Sequence, residues 1–252
     1  MGAETMLIRD DERLDDLHRK GYQILQKPGA FCFGMDAVLL SDWAVMKPGE
    51  KALDLGTGTG IIPILMQARC ENAHYTGLEL QEDMADMARR SVEHNQQQHA
   101  IDILQGDLKN IRELLPLASM DVVTSNPPYM KVPDGLKNSR TTVTMARHEI
   151  ACTLADVVSA AAAMLKFHGR FYMVHRPSRL VQIMEELRKV KLEPKRMRLV
   201  HPYRDKEPNM VLIEAVRGGG EELRIQPPLI IYDAPGQYSD EIYRIYGYER
   251  KE

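Results

Sequence analysis

Between residues 51 and 125 the chain repeats one pattern: a short apolar run, a polar turn, then a longer amphipathic stretch. Lys51–Leu55, His74–Leu80, Ile101–Gln105 and Met120–Ser125 have the length and apolar content of buried strands. Ile61–Cys70 and Glu82–His94 have helical length, and Met84, Met87, Ala88 and Val92 recur at helical spacing in the second. Strands alternating with helices in this way predict a parallel sheet covered on both faces. Downstream, Thr153–Leu165 predicts a helix opened by a Thr153/Asp156 pair at capping-box spacing. Gly169–His175 predicts a fifth strand, and Pro177–Val190 a helix with proline in its first turn. Then the alternation breaks. Leu192–Val200 and Asn209–Val216 are strand-like runs with no helix between them, which predicts an antiparallel hairpin closing one edge. Gly218–Gly220 mark a flexible link, and Ser239–Tyr246 predicts a terminal helix. The expected architecture is α/β and doubly wound, with a seven-stranded, mostly parallel sheet and an antiparallel hairpin edge. No internal repeat or long low-complexity linker divides the chain, so one domain is expected over residues 1–252, with an N-terminal extension at 1–28 and a tail at 218–252.

Composition narrows the classes. At 44% hydrophobic and 27% charged residues, the chain is neither disordered nor fibrous. Its formal charge of -3 gives no molecule-wide positive field, so a nucleic-acid site must be a local patch. Cys32, Cys70 and Cys152 lie far apart, with no spacing for a disulfide framework or a zinc cage. No metal is expected, and the cysteine usage fits a reducing compartment. The acidic stretch Met1–Leu17 lacks the basic start and apolar core of a signal peptide, and no run approaches a membrane span. A soluble, cytoplasmic protein without a membrane partner is expected.

The sharpest local signal is Asp54-Leu55-Gly56-Thr57-Gly58-Thr59-Gly60, directly between a strand and a helix. Glycines there let backbone approach a ligand that a Cβ would exclude. A dinucleotide fingerprint needs G-x-G-x-x-G, but here the third glycine comes one place early and Ile61 fills the diagnostic position. No lysine follows, so this is not a P-loop. Asp54 would repel a pyrophosphate yet suits the ammonium of an amino acid. Glu79, 19 residues after Gly60, stands at a strand end where a carboxylate can accept from both ribose hydroxyls. Asp107, just past the next strand, can accept from the exocyclic amine of adenine. A nucleoside carrying a cationic amino-acid tail satisfies all three acids, and S-adenosylmethionine is that molecule. The competing reading, a plain tight turn with solvated acids, leaves the matching of Glu79 and Asp107 at neighbouring strand ends unexplained.

A second constellation, Asn126-Pro127-Pro128-Tyr129, follows the fourth strand. Two prolines fix φ and remove two donors, leaving a stiff loop whose carbonyls can accept. An adenine exocyclic amine is a poor nucleophile because its lone pair is delocalised into the ring. The Asn126 side-chain oxygen and the Pro127 carbonyl can hold both of its hydrogens and return charge to the nitrogen. Tyr129 can stack on the base, an interaction worth ~1–3 kcal/mol. No strong general base is needed, since the proton leaves after nitrogen becomes cationic, and most of the rate comes from alignment.

Asp54–Gly60, Glu79, Asp107 and Asn126–Tyr129 together resemble the ordered motifs of class I S-adenosylmethionine-dependent methyltransferases that act on planar nitrogens. Phe33-Gly34-Met35-Asp36-Ala37-Val38-Leu39-Leu40 resembles the upstream segment beside the methionine end of the cofactor. The likeness is greatest to the bacterial enzymes that methylate adenine N6 beside the anticodon of valine tRNA. It spans Gly29 to Val216, and Pro227–Tyr246 is similar to the tail of some members. The resemblance implies a Rossmann-like fold and tRNA as the partner. It also implies a cofactor set of Phe33, Gly34, Asp36, Asp54, Gly56, Thr57, Gly58, Gly60, Glu79, Asp107 and Asn126, and a catalytic set of Asn126, Pro127, Pro128 and Tyr129.

Asn-Pro-Pro-Tyr also serves enzymes that methylate protein glutamines, and ribosomal RNA is a further acceptor. Two features favour tRNA. Only about fifty residues precede the glycine loop, too few for the helical domain of glutamine-directed relatives, and there is no room for a DNA-recognition insert. Basic residues also concentrate: Arg188–Lys206 carries a net +6, leaving -9 for the rest. Such a patch suits a phosphate backbone. The expected RNA contacts are Lys195, Arg196, Arg198, Arg204 and Lys206, with Lys131, Arg140 and Arg147 from a second cluster that also holds Lys137 and His148. A solvated face is the competing reading of both clusters. A non-catalytic RNA-binding module and a nicotinamide enzyme are the rivals from other classes. His148 and His175 are expected to be structural or RNA-contacting, and Trp43 and the methionines to fill the core.

Overall fold

The computed structural model describes residues 8–28, 32–127 and 152–248. A hairpin of β1 (Arg13–Asp16) and β2 (Gln23–Gln26) leads into helix α1 (Met35–Trp43). The alternation follows as β3 (Lys51–Leu55), α2 (Ile61–Arg69), β4 (His74–Glu79), α3 (Glu82–His94) and β5 (Ile101–Gln105). A short α4 (Ile111–Leu114), β6 (Met120–Ser125), α5 (Leu154–Met164), β7 (Leu165–His175) and α6 (Leu180–Lys189) complete the parallel part. The long hairpin is β8 (Leu192–His201) with β9 (Met210–Arg217). The tail adds β10 (Arg224–Ile225), β11 (Leu229–Ile230), β12 (Tyr232–Ala234), β13 (Gln237–Tyr238) and α7 (Asp240–Tyr246).

The long strands lie in the order β8-β9-β7-β6-β3-β4-β5. Neighbours from β7 to β5 run parallel, while β9 is antiparallel to both β7 and β8. The crossovers proceed one way from β3 through β4 to β5 and the other way from β6 to β7. The carboxyl ends of β3 and β6 therefore flank the topological switch point, where open α/β sheets bind ligands. Strand alternation separates two cores: Tyr172 and Val174 pack with α1 and α2, whereas Phe171 and Met173 pack with α5 and α6.

Three expectations are corrected in detail. The β8–β9 hairpin does not form the bare edge, because β10 and β11 both pair in parallel with β8, making nine strands. Pro227 and Pro228 lie between these two pieces, and residues without an N–H cannot continue a ladder. The fifth strand begins at Leu165 rather than Gly169, with an irregular register against β6 and His168 at φ 62°. Gly169 is required at that bend, since a Cβ would lie 2.9 Å from the Lys166 carbonyl oxygen. The helix expected from Pro177 opens with a 3₁₀ turn, Pro177–Arg179, before α6. Thr153 caps α5 with a full capping box through Asp156.

The N-terminal hairpin docks on α3 through side chains that act like a strand partner. Asn95 accepts from the Gln23 N–H (2.9 Å) and donates to the Gln23 carbonyl (2.7 Å), while the Ser91 hydroxyl accepts from Leu25 N–H (3.0 Å). Arg90 holds the nearly buried Glu12 carboxylate with two bonds of 2.7 and 2.6 Å. Among the described residues no helix is long and apolar enough to cross a membrane, and no cluster of His, Cys, Asp or Glu has the makings of a metal site.

Candidate active site

The loop after β3 turns on three left-handed glycines, Gly56, Gly58 and Gly60, at φ 72°, 58° and 88°. Gly56 is exposed, and a Cβ there would meet nothing within 4 Å. Its backbone is bare toward the cleft because any other residue would be strained and would fill that space. Gly60 lies beneath, at the start of α2, packed against Ala88 of α3. The loop is anchored from β4. Gly56 and Thr57 N–H groups donate to the Leu78 carbonyl, and Gly58 N–H donates to Glu79 Oε2 at 2.9 Å. Glu79 Oε1 accepts from Gln81 N–H, also at 2.9 Å. The buried Glu79 carboxylate is thus held in place with acceptor capacity left on each oxygen.

Asp54 is 3% exposed. Its Oδ1 accepts from the Thr124 hydroxyl of β6 at 2.7 Å, but its Oδ2 has no hydrogen-bond partner among the described residues; nor does the neighbouring Thr57 hydroxyl. Burial pushes the Asp54 carboxyl up to about 6 against the opposing Thr124 bond and the adjacent Thr57 hydroxyl, and the Glu79 charge adds to the rise. An orphaned buried carboxylate oxygen beneath a bare glycine turn fits a group that brings positive charge or donors. S-adenosylmethionine has both: an ammonium suited to Asp54 and ribose hydroxyls suited to Glu79. The arrangement therefore passes the test of fit for that cofactor.

The strand that carries Asn126 is locked to the same structure. Ser125 donates to the Leu55 carbonyl (3.0 Å) and Thr124 to Asp54, so β6 delivers Asn126 and Pro127 to the mouth of the glycine loop. One cleft is lined by Phe33, Gly56, Thr57, Gly58 and Asn126, with Ala37, Thr59, Ile61, Ile62 and Met84 as its remaining wall. Gly34 and Asp36 open α1 behind Phe33. Asp107 stands beyond β5, partly exposed, with one oxygen accepting from Lys109 N–H (2.9 Å). Pro128, Tyr129, Lys131, Lys137, Arg140, Arg147 and His148 lie outside the described residues.

Several participants carried no signal in the sequence. Gln26, fully buried, donates to the Thr59 hydroxyl (2.8 Å) while its side-chain oxygen accepts from Phe33 N–H (3.1 Å). It joins the N-terminal hairpin to both walls of the cleft. Gly77 in β4 admits Thr57, whose side chain would lie 2.8 Å from a Cβ there. Leu80, next to Glu79, is 46% exposed at the strand end and offers an apolar face.

A family model described as a methyltransferase domain matches residues 52–141. The tRNA1(Val) (adenine(37)-N6)-methyltransferase of Porphyromonas gingivalis is 30% identical over 239 residues, covering 90% of this chain and 91% of its own. The chain belongs to this methyltransferase family. In the structural comparison, a predicted O-methyltransferase from Agrobacterium tumefaciens superposes with a TM-score of 0.69 at 23% identity, over 84% of this chain and 96% of its own. The geranyl diphosphate C-methyltransferase of Streptomyces coelicolor, solved with S-adenosyl-L-homocysteine, gives 0.52 at 15% identity over 72% and 76%. Both likenesses establish the class I methyltransferase fold.

In this family member the basic stretch is less available than its charge count implied. Arg196 pairs with Glu214 (2.7 Å) and lies 3.9 Å over the Trp43 ring, and Arg198 makes two 2.7 Å bonds to Glu241. Lys195 donates to the carbonyls of Gly220 and Glu221. Arg204 and Lys206 are exposed in the β8–β9 connection, where Lys206 faces Asp205 at 3.6 Å. Trp43 is buried in the core, as expected.

Proposed function

We propose that this chain transfers the methyl group of S-adenosylmethionine to N6 of an adenosine in tRNA, at position 37 beside the anticodon of a valine tRNA. Family membership along nearly the whole chain supports this substrate. The observation that carries the chemistry is that Asn126 lines the same cleft as Gly56 and Gly58.

The bound cofactor supplies an electrophilic methyl carbon on a sulfonium. Asp54 would pair with the cofactor's ammonium, Glu79 would hold its ribose, Asp107 would accept from its adenine, and Phe33 would cover its methionine end. Leu80 presents its apolar side chain to the adenine. Asn126 Oδ1 and the Pro127 carbonyl each accept one hydrogen of the target amine, orienting its lone pair. As the nitrogen–carbon bond formed and the carbon–sulfur bond broke, leaving the cofactor as a neutral thioether, these two oxygens would stabilise the growing positive charge on nitrogen, and a proton would then leave to solvent. Tyr129 stacks on the acceptor base, and Pro128 stiffens its approach. Arg204 and Lys206, with Lys131, Arg140 and Arg147, meet the RNA backbone. Lys195 and Arg198 brace β8 against the tail, and Arg196 braces it against β9 and Trp43 of α1. Nucleoside mass spectrometry of unmodified valine tRNA incubated with protein and cofactor tests the proposal, and N6-methyladenosine is the expected product.

A further inference from the structure

The carboxyl edge of the sheet holds two arginines that neither charge counting nor motif reading singled out. β6 and β7 are parallel neighbours paired up to Ser125 and Met173, and β7 ends two residues later at His175. Arg176 follows at once, and Arg179 closes the 3₁₀ turn after it. Strands lie about 4.8 Å apart, so the end of β7 lies one strand spacing from the end of β6, which leads directly into Asn126. Arg196 and Arg198, in contrast, lie within β8, at the far side of β9.

We infer that Arg176 and Arg179 are the cations that grip the backbone of a single-stranded RNA loop and set its target base over Asn126. The inference rests on the proposed RNA methylation and deepens it, by naming contacts at the reacting end of the substrate.

The local structure is built to present them. The Arg176 N–H donates to His175 Nδ1 at 2.7 Å, and the Arg176 guanidinium reaches the Asn209 carbonyl at 3.0 Å, tying the ends of β7 and β9. The Arg176 side chain is exposed. Arg179 donates to the neutral side-chain oxygen of Gln182 at 2.7 Å and makes no ion pair among the described residues, so its charge is not matched by a carboxylate. His175 is 2% exposed. Burial, followed by the charges of Arg179 and Arg176, holds its imidazole down to about 4. It is a neutral spacer at physiological pH and adds no charge beside the two guanidiniums. Guanidinium forks match phosphate oxygens in two-point geometry, which a mid-strand arginine already closed on Glu241 cannot offer.

The test is equilibrium binding of a fluorescein-labelled, unmodified valine-tRNA anticodon stem–loop transcript across a salt series. The proteins are wild type, Arg179→Ala and Arg176→Ala/Arg179→Ala, each also measured for thermal melting, cofactor binding and steady-state methylation. Loss of one contact is expected to weaken RNA binding about threefold to tenfold and to reduce the slope of log K against log salt by about 0.7. The double variant should lose about twice that slope, with KM for RNA raised, kcat at saturating RNA retained and cofactor affinity unchanged. If Arg176→Ala loosens the fold by releasing the Asn209 carbonyl, Arg179→Ala alone decides, since its bond is to Gln182 on the adjoining helical turn. A wild type that methylates the transcript, beside variants that keep its affinity and salt slope, overturns this inference and leaves the proposed function standing. A wild type that neither binds nor methylates the transcript overturns both.

Discussion

At the carboxyl ends of β3 and β4, Asp54 and Glu79 are buried acids whose bonding is incomplete: Asp54 keeps an oxygen with no partner, and Glu79 holds two N–H groups with capacity to spare. On β8, across the same sheet, Arg196 and Arg198 carry as much formal charge, yet Glu214 and Glu241 close on them. Both regions attract notice in the sequence as clusters of charge. Only the first leaves a polar group waiting. A completed ion pair serves the fold, while a buried acceptor without a donor costs about 1–3 kcal/mol unless a ligand supplies one. Unfinished bonding, rather than charge density, distinguishes the cofactor side from the bracing side.

The comparison is broken most forcefully at Asn126. Asn126→Ala should lower kcat about 100-fold or more, because alignment of the amine is lost, while calorimetry finds cofactor affinity nearly unchanged. Equal loss of both would make Asn126 a cofactor residue and leave the acceptor side without its key group.

Asp54 gives the next largest effect. In the empty site its carboxyl keeps a proton up to about pH 6, well above the ordinary 3.8. A cationic ligand favours the ionised form, so cofactor affinity should rise with pH, level off above about 6, and stand about tenfold lower at pH 5. Asp54→Asn should flatten that profile. For the unliganded protein the sign is opposite: the contribution of neutral Asp54 to stability is complete below 3.8 and lost as pH rises through about 6. Asp54→Asn should therefore raise the melting temperature at pH 8 while weakening binding. A lowered melting temperature would mean that Asp54 serves the fold.

Gln26 sharpens the boundary between the two kinds of region, since its bonds are complete yet reach both cleft walls. Gln26→Ala should destabilise the protein by about 1–3 kcal/mol and weaken cofactor binding by a smaller factor, both measurable in one set of melts with and without ligand. The smallest effect on RNA is expected from Arg198→Ala. It should lower the melting temperature through the stranded Glu241 but leave the salt dependence of RNA binding close to wild type.

The parallel core was legible because β3 and β6 are short, almost wholly buried apolar runs and α3 has a distinct polar face; all three have the bounds that pattern assigned. Helix α1 was not assigned. Ala37, Val38, Leu39, Leu40, Ser41 and Trp43 are all buried, so no polar face marks a helical period. The N-terminal hairpin was also missed, since its acidic stretch looks solvated until Arg90 and Ser91 of α3 and Asn95 at its C-terminal end are brought alongside. The glycine loop and its acids could be placed because each sits at a strand end, a position that local pattern specifies. Gln26 could not, because its value depends on where a distant hairpin docks. The basic stretch was overvalued for the converse reason: Glu214 and Glu241 neutralise it from 18 and 43 residues downstream of their partners Arg196 and Arg198.

The central claim is that Asn126 and Pro127 hold an adenosine amine in line with the methyl donor. Mass spectrometry of nucleosides from valine tRNA, treated with wild type or Asn126→Ala and methyl-labelled cofactor, tests it most directly. Labelled N6-methyladenosine with wild type, and almost none with the variant, is the result expected. Label in protein glutamine, on another atom of adenine, or equally on N6 with the variant would contradict it.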